Sequence, residues 1–121
     1  MKREEYITKS EQYALVHIRG RSLGRGSLIV IKALPNSLSF SRYGFIVSKR
    51  VGKAVQRNRV KRLLREILRQ TPVKPGWDIV FIARPEAAKA SYAELGDMIS
   101  GLLYQANLIM ENYEKTCLSI N

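Results

Sequence analysis

From Ser27 to Leu34 the chain reads SLIVIKAL, a β-branched apolar run ended by the turn residues Pro35, Asn36 and Ser37, and this pattern predicts a strand. RYGFIVS, Arg42 to Ser48, predicts a second strand, expected to pair with the first across the turn around Pro35 to Ser39. After Gly52 the apolar period changes from two to about 3.6. Val60, Leu63, Leu64, Ile67 and Leu68 then recur at helical spacing, predicting an amphipathic helix over about 54–70 that Pro72 closes. WDIVFIAR, about 77–84, is apolar enough for a central strand covered on both faces. Two further helices flank this middle. Thr8 and Glu11 form a T-x-x-E box opening a helix over about 9–19, with Gly20 suited to a left-handed C-terminal residue. Ser91 and Glu94 open a last helix over about 92–113, with Leu95, Met98, Ile99, Leu102, Ala106, Ile109 and Tyr113 along one face.

The order helix, strands, helix, strand, helix gives an α+β fold, an α-β sandwich of a sheet with helices packed on it. No repeat, low-complexity stretch or linker divides the chain, so 1–121 is expected to be one domain. The unit from Arg42 through the middle helix to Arg84 can join parallel strands, for which a right-handed crossover is the general expectation.

Charge changes the picture. The net charge is +11, and it is concentrated: Ser48 to Gln70 holds nine bases and one acid, leaving twelve bases and nine acids elsewhere. On the helical period Arg57, Lys61 and Arg65 stack one turn apart, while Asn58, Arg62, Arg65 and Arg69 form the adjoining row, opposite the apolar side. Like charges at this spacing oppose an isolated helix, so it depends on burial of its apolar face and gains from an anionic partner. Arginine offers planar forks for phosphate oxygens, and Asn58 among them can read a base edge or a sugar hydroxyl. Upstream, Ser48, Lys49, Arg50 and Lys53 extend the same surface toward the helix N-terminus.

A solvated helix face normally mixes signs, and this one does not, so a polyanion partner is favoured. Membrane binding fits poorly because the apolar face is aliphatic and needed by the core, and no apolar run is long enough to span a bilayer. The first residues lack the apolar core of a secretion signal, and a cytoplasmic location is expected. Duplex DNA remains open, since a helix of this width fits the major groove. For catalysis the chain offers little: His17 is the single histidine, Cys117 the single cysteine, and Asp78 and Asp97 read as isolated. No metal site can be assembled from these ligands.

The stretch RYGFIVSKRVGKAVQRNRVKRLLRE, Arg42 to Glu66, resembles the signature of the bacterial ribonuclease P protein component: R-x-G, then V-S-K-[KR]-V-G-x-A-V, then R-N-R-[VI]-K-R-x-x-R-E. The similarity runs from about Ile7 to Ala106. The resemblance implies an α-β sandwich similar to the second domain of a small-subunit ribosomal protein, with a left-handed β-α-β crossover around the basic helix. It implies a protein that assists a large catalytic RNA subunit, which uses Mg2+ to remove the 5′ leader of precursor tRNA. The partners are then the RNA subunit and precursor tRNA, with no membrane and no protein partner required, and no cofactor held by protein side chains alone. Carried over, Ser48, Lys49, Arg50, Lys53, Arg57, Asn58, Arg59, Lys61, Arg62 and Arg65 would contact the RNA subunit. A cleft between the first helix and the sheet would hold the leader, at the positions of Tyr13, His17 and Ile31; His17 stands where phenylalanine is common and Ile31 where an aromatic often stands. An RNA-binding module without an enzymatic role, ribosomal or chaperone, is the alternative.

Overall fold

A computed structural model describes residues 5–110; the predicted reach of the last helix to 113, with Tyr113, and Cys117 lie outside the described residues. Helix α1 (Ser10–Arg19) is followed by strands β1 (Arg21–Leu23), β2 (Ile29–Pro35) and β3 (Arg42–Ile46), helix α2 (Ala54–Arg69), strand β4 (Trp77–Ala83), a short 3-10 turn over Pro85–Lys89 and helix α3 (Tyr92–Gln105). The α+β class is as expected.

The strands form one sheet in the order β1-β2-β4-β3. The predicted pairing of β2 with β3 is therefore corrected: β4 inserts between them, antiparallel to β2 and parallel to β3. A turn joining two sequence neighbours does not exclude a third strand from the gap. The loop between them instead crosses the end of β4, where Asn36 donates to Asp78 at 2.9 Å. Arg42 reaches the same carboxylate with a two-pronged grip, Nε to Oδ1 at 2.8 Å and Nη2 to Oδ2 at 2.6 Å. Asp78, read from the sequence as isolated, is thus the buried hub of this corner.

Strand alternation divides the sheet into two faces. Ile29, Ile31, Ala33, Ile79, Phe81 and Tyr43 pack in the main core with Val60, Leu64, Ile67 and Leu68 of α2 and Leu95, Ile99, Leu102 and Leu103 of α3. On the other face Val80 joins Val16 of α1 and Ile7, with Tyr13, Leu34 and Ile82 packed alongside. Burial of four apolar residues on one side of α2 anchors a helix that its own charges would otherwise disfavour.

Helix ends depart from expectation in instructive ways. At α1 the N-cap is Lys9, and Gln12 rather than Glu11 reaches back, its Oε1 accepting from the Thr8 and Lys9 backbone N–H groups (both 3.3 Å). Gly20 is extended, φ −72°, and not left-handed. The box at Ser91 and Glu94 forms as predicted, with reciprocal bonds of 3.1 Å. The end of α3 falls earlier than the apolar period suggested. Asn107 takes the left-handed conformation (φ 60°), its N–H donates to the Tyr104 carbonyl, and the Leu108 N–H donates to Leu103. This double bond is the glycine-type helix stop made by asparagine. Leu108 and Ile109 are buried because the chain turns back into the core, where Ile109 bridges to Val73.

Tyr43 carries a testable consequence. Burial beside Phe81, with Glu5 adding a smaller charge effect, pushes its phenol from 10.0 up to about 12. The neutral form is the one the fold accommodates, so its stabilisation is complete below pH 10 and is lost as pH rises through 12. Alkaline titration followed by tyrosinate absorbance and circular dichroism should show one tyrosine ionising late, with a loss on the order of 2–3 kcal/mol across that window. Tyr43→Phe should remove this part of the alkaline instability.

Candidate nucleic-acid interface

The basic segment begins with a loop fixed from below. Val47 and Val51 are buried, the Val51 N–H donates to Ser48 O (3.1 Å) and the Gly52 N–H to Lys49 O (3.2 Å). Between those anchors Ser48, Lys49 and Arg50 are exposed, followed by Lys53. Gly52 has φ +152°, and a Cβ there would lie 2.3 Å from Gln56 Oε1. That oxygen is committed: it accepts from the Lys53 N–H at 2.6 Å and caps α2. Glycine at 52 therefore lets the loop close onto the capped helix start.

Along α2 the exposed line is Asn58, Arg62, Arg65 and Arg69, the row predicted from the helical period. Glu66, the single acid of the segment, pairs with Arg69 at 3.1 Å, and that arginine side chain is still 61% exposed. Among the described residues no other base of the loop or helix pairs with a carboxylate. Arg65 leans toward the sheet edge, its guanidinium carbon 5.8 Å from the Phe45 ring centroid, a cation–π contact that also orients it. Arg57 and Lys61 lie half-buried on the same flank, and the Arg57 Nε is buried without a hydrogen-bond partner. Arg59 sits on the other flank. Its Nη1 and Nη2 donate to the carbonyls of Ala88 (3.2 Å) and Ala90 (3.1 Å), tying α2 to the 3-10 turn. Two of its five donors are thus used inside the fold.

The second area lies where α1 crosses the sheet. Lys32, Val80 and Gly44 form one register row across β2, β4 and β3. Tyr13 covers Gly44 so closely that a Cβ there would meet its ring at 2.6 Å. Val16 packs with Val80, and His17 Nδ1 accepts from Lys32 Nζ at 2.8 Å. One row along, Val30, Ile82 and Ile46 leave an apolar strip beside the helix, with Ile46 41% exposed. Tyr13 and His17 lie on the side of α1 that borders this strip. Ile31 does not border it: it is 0% exposed and faces the main core, because its neighbours Val30 and Lys32 hold the parity that faces α1. Lys32 and Gly44 were missed. The signal for Lys32 was its place as the lone polar residue in SLIVIKAL, which marks the face that is not the main core.

No group of three or more His, Cys, Asp or Glu among the described residues is arranged to hold a metal, and no helix there is long and apolar enough to cross a membrane.

The model of the Ribonuclease P family matches residues 1–107. The chain belongs to the ribonuclease P protein family. It is 51% identical over 116 residues to the ribonuclease P protein component of Dehalococcoides mccartyi strain CBDB1, covering 96% of each chain. It is 43% identical over 111 residues to that of Alkaliphilus oremlandii, covering 90% of this chain and 96% of the relative. Among solved structures, the Staphylococcus aureus RNase P protein superposes with a TM-score of 0.77 at 25% identity, over 88% of this chain and 98% of that one. The Thermotoga maritima RNase P protein gives 0.76 at 28% identity, over 84% and 96%. Membership makes the chain the protein part of a ribonuclease P, an endoribonuclease of tRNA processing, with the ribonuclease P RNA as its partner. The ridge on α2 and the cleft beside α1 are then two surfaces of one ribonuclease P protein.

Proposed function

We propose that this protein grips the catalytic RNA subunit with the α2 ridge and the loop before it, and holds the 5′ leader of precursor tRNA in the cleft beside α1. The observation that carries the reading is the line Asn58, Arg62, Arg65 and Arg69, exposed on a helix whose opposite side is locked in the core. A rigid helix presenting guanidinium forks can neutralise several phosphates without reordering the protein. Lys49, Arg50 and Lys53 continue that surface past the capped helix start, where backbone N–H groups add to the attraction for phosphate. Hydrolysis is assigned to the RNA subunit with Mg2+, in the cytoplasm, and no protein side chain is assigned to bond breaking. The protein's contribution is charge: neutralising phosphate repulsion between two RNAs lowers the Mg2+ concentration at which they associate productively.

Reconstitution tests this directly. Purified protein added to a bacterial ribonuclease P RNA should restore cleavage of precursor tRNA at a Mg2+ concentration where the RNA alone is nearly inactive. Failure to stimulate, with binding to the RNA demonstrated in the same buffer, would leave an RNA-binding module without this role.

A further inference from the structure

We infer that Lys32, held in place by His17, is a clamp for one backbone phosphate of the single-stranded leader, so that this cleft grips the leader by its charge rather than by stacking on its bases. The inference rests on the leader being the occupant of the cleft, as proposed above. Lys32 stands in an interior row of the sheet, half-buried, and among the described residues it has no carboxylate partner. Arg42, a second cation on this face, is spent on Asp78. An ammonium in such a place needs acceptors, and His17 supplies one through Nδ1 at 2.8 Å. A lysine ammonium can only donate, so the imidazole Nδ1 is the accepting atom of this contact and Nε2 is the ring nitrogen left to face away from it. Its two other N–H donors have no partner among the described residues.

The strip beside it, Val30, Ile82 and Ile46, spans about 10 Å across three strands, room for about two nucleotides. Aliphatic side chains there can lie against sugars and base faces of any sequence, but they offer neither hydrogen bonds to base edges nor an aromatic platform. Tyr13 is the aromatic ring of α1 at this cleft, and it is already packed onto Gly44. Charge is therefore the grip that remains, and Lys32 offers it from within the sheet, beside the strip. His17 acts through Lys32, as a positioning residue: without its acceptor the lysine swings free and the phosphate contact loses its geometry.

The experiment uses the reconstituted holoenzyme and compares the affinity of a leader-bearing precursor with that of the same tRNA lacking a leader. A series of precursors each carries one uncharged methylphosphonate linkage (on a 2′-O-methyl sugar) in the leader. Lys32→Met should weaken the leader-bearing precursor roughly tenfold and leave the leaderless tRNA unchanged. One leader linkage should cost wild type about as much when neutralised, and cost Lys32→Met nothing further. His17→Phe should lose part of the affinity, and His17→Gln, whose amide oxygen can accept the same N–H, should restore it. If every neutral linkage costs wild type and Lys32→Met alike while both still prefer the leader-bearing precursor, the clamp is overturned and the leader cleft stands. If wild type shows no preference for the leader, the cleft assignment itself fails and takes the clamp with it.

Discussion

Replacing Arg62 and Arg65 together by alanine is expected to weaken binding of the RNA subunit by about an order of magnitude at physiological salt, and to flatten the salt dependence of log K by roughly 1.4–1.8. Both side chains are exposed on the α2 ridge, and neither pairs with a carboxylate among the described residues. The fold should tolerate their loss, since relief of like-charge repulsion on the helix face offsets the loss of the exposed Arg65–Phe45 cation–π contact. Arg59→Ala supplies the contrast. That residue lies in the same run of bases, but its guanidinium donates to the Ala88 and Ala90 carbonyls, and Ala90 is buried. Losing those bonds should cost on the order of 1–3 kcal/mol of stability. The slope for RNA binding should barely move. Titrating RNA binding against salt for the two variants, beside their denaturation midpoints, separates the roles. A flattened slope in Arg59→Ala with none in the double variant would place the RNA on the other flank of α2 and sink the ridge assignment.

That contrast shows where the sequence stops being legible. The helical period alone predicts α2 within a residue of its observed end and identifies Asn58, Arg62, Arg65 and Arg69 as one exposed row. Such a prediction works because it depends on one helix only. The fate of Arg59 depends on where the turn at Pro85–Lys89 comes to rest, a contact made some thirty positions later that no local period encodes. Strand positions were legible for the same reason, and strand neighbours were not. β2 and β3 each carry a good apolar pattern, yet the insertion of β4 between them rests on pairings between segments some forty positions apart, which neither pattern encodes. Strand β1 escaped altogether, being three residues long with two of them exposed. The end of α3 misled for a different reason. Apolar spacing continued through Ile109, but Asn107 in a left-handed conformation ends the helix, and the residues beyond it are apolar because they return to the core. Ile31 was placed in the cleft by resemblance, whereas strand parity, with Lys32 beside it, assigns it to the core.

The largest change in stability is expected from Asp78→Ala. Because β2 and β3 do not pair, the loop joining them is secured across the start of β4 by the bonds of Asn36 to Gly76 and of Ser41 to Lys74 and Trp77, and Asp78 is its charged point of attachment: it accepts from Asn36, at the end of β2, and from both prongs of Arg42, at the start of β3. Its side chain is 8% exposed and that of Arg42 20%, so little water is available to replace the lost bonds. The bond to Asp78 is also what holds the Arg42 guanidinium above its ordinary pKa, against the opposing effect of burial. Alanine at 78 leaves that cation sequestered with no counter-charge, a change that costs about 3–5 kcal/mol in comparable buried pairs. Urea denaturation should show the midpoint falling by a corresponding amount. Replacing both partners, Arg42→Leu with Asp78→Leu, should recover much of the loss, since the stranded charge rather than the missing attraction carries most of the cost. A double variant no more stable than Asp78→Ala would mean instead that the geometry of the fork, and not the burial of charge, sets the corner where the loop crosses β4. Under either outcome excess RNA subunit should pull Asp78→Ala back toward the native state, because a partner that binds the folded and not the unfolded protein stabilises it by mass action.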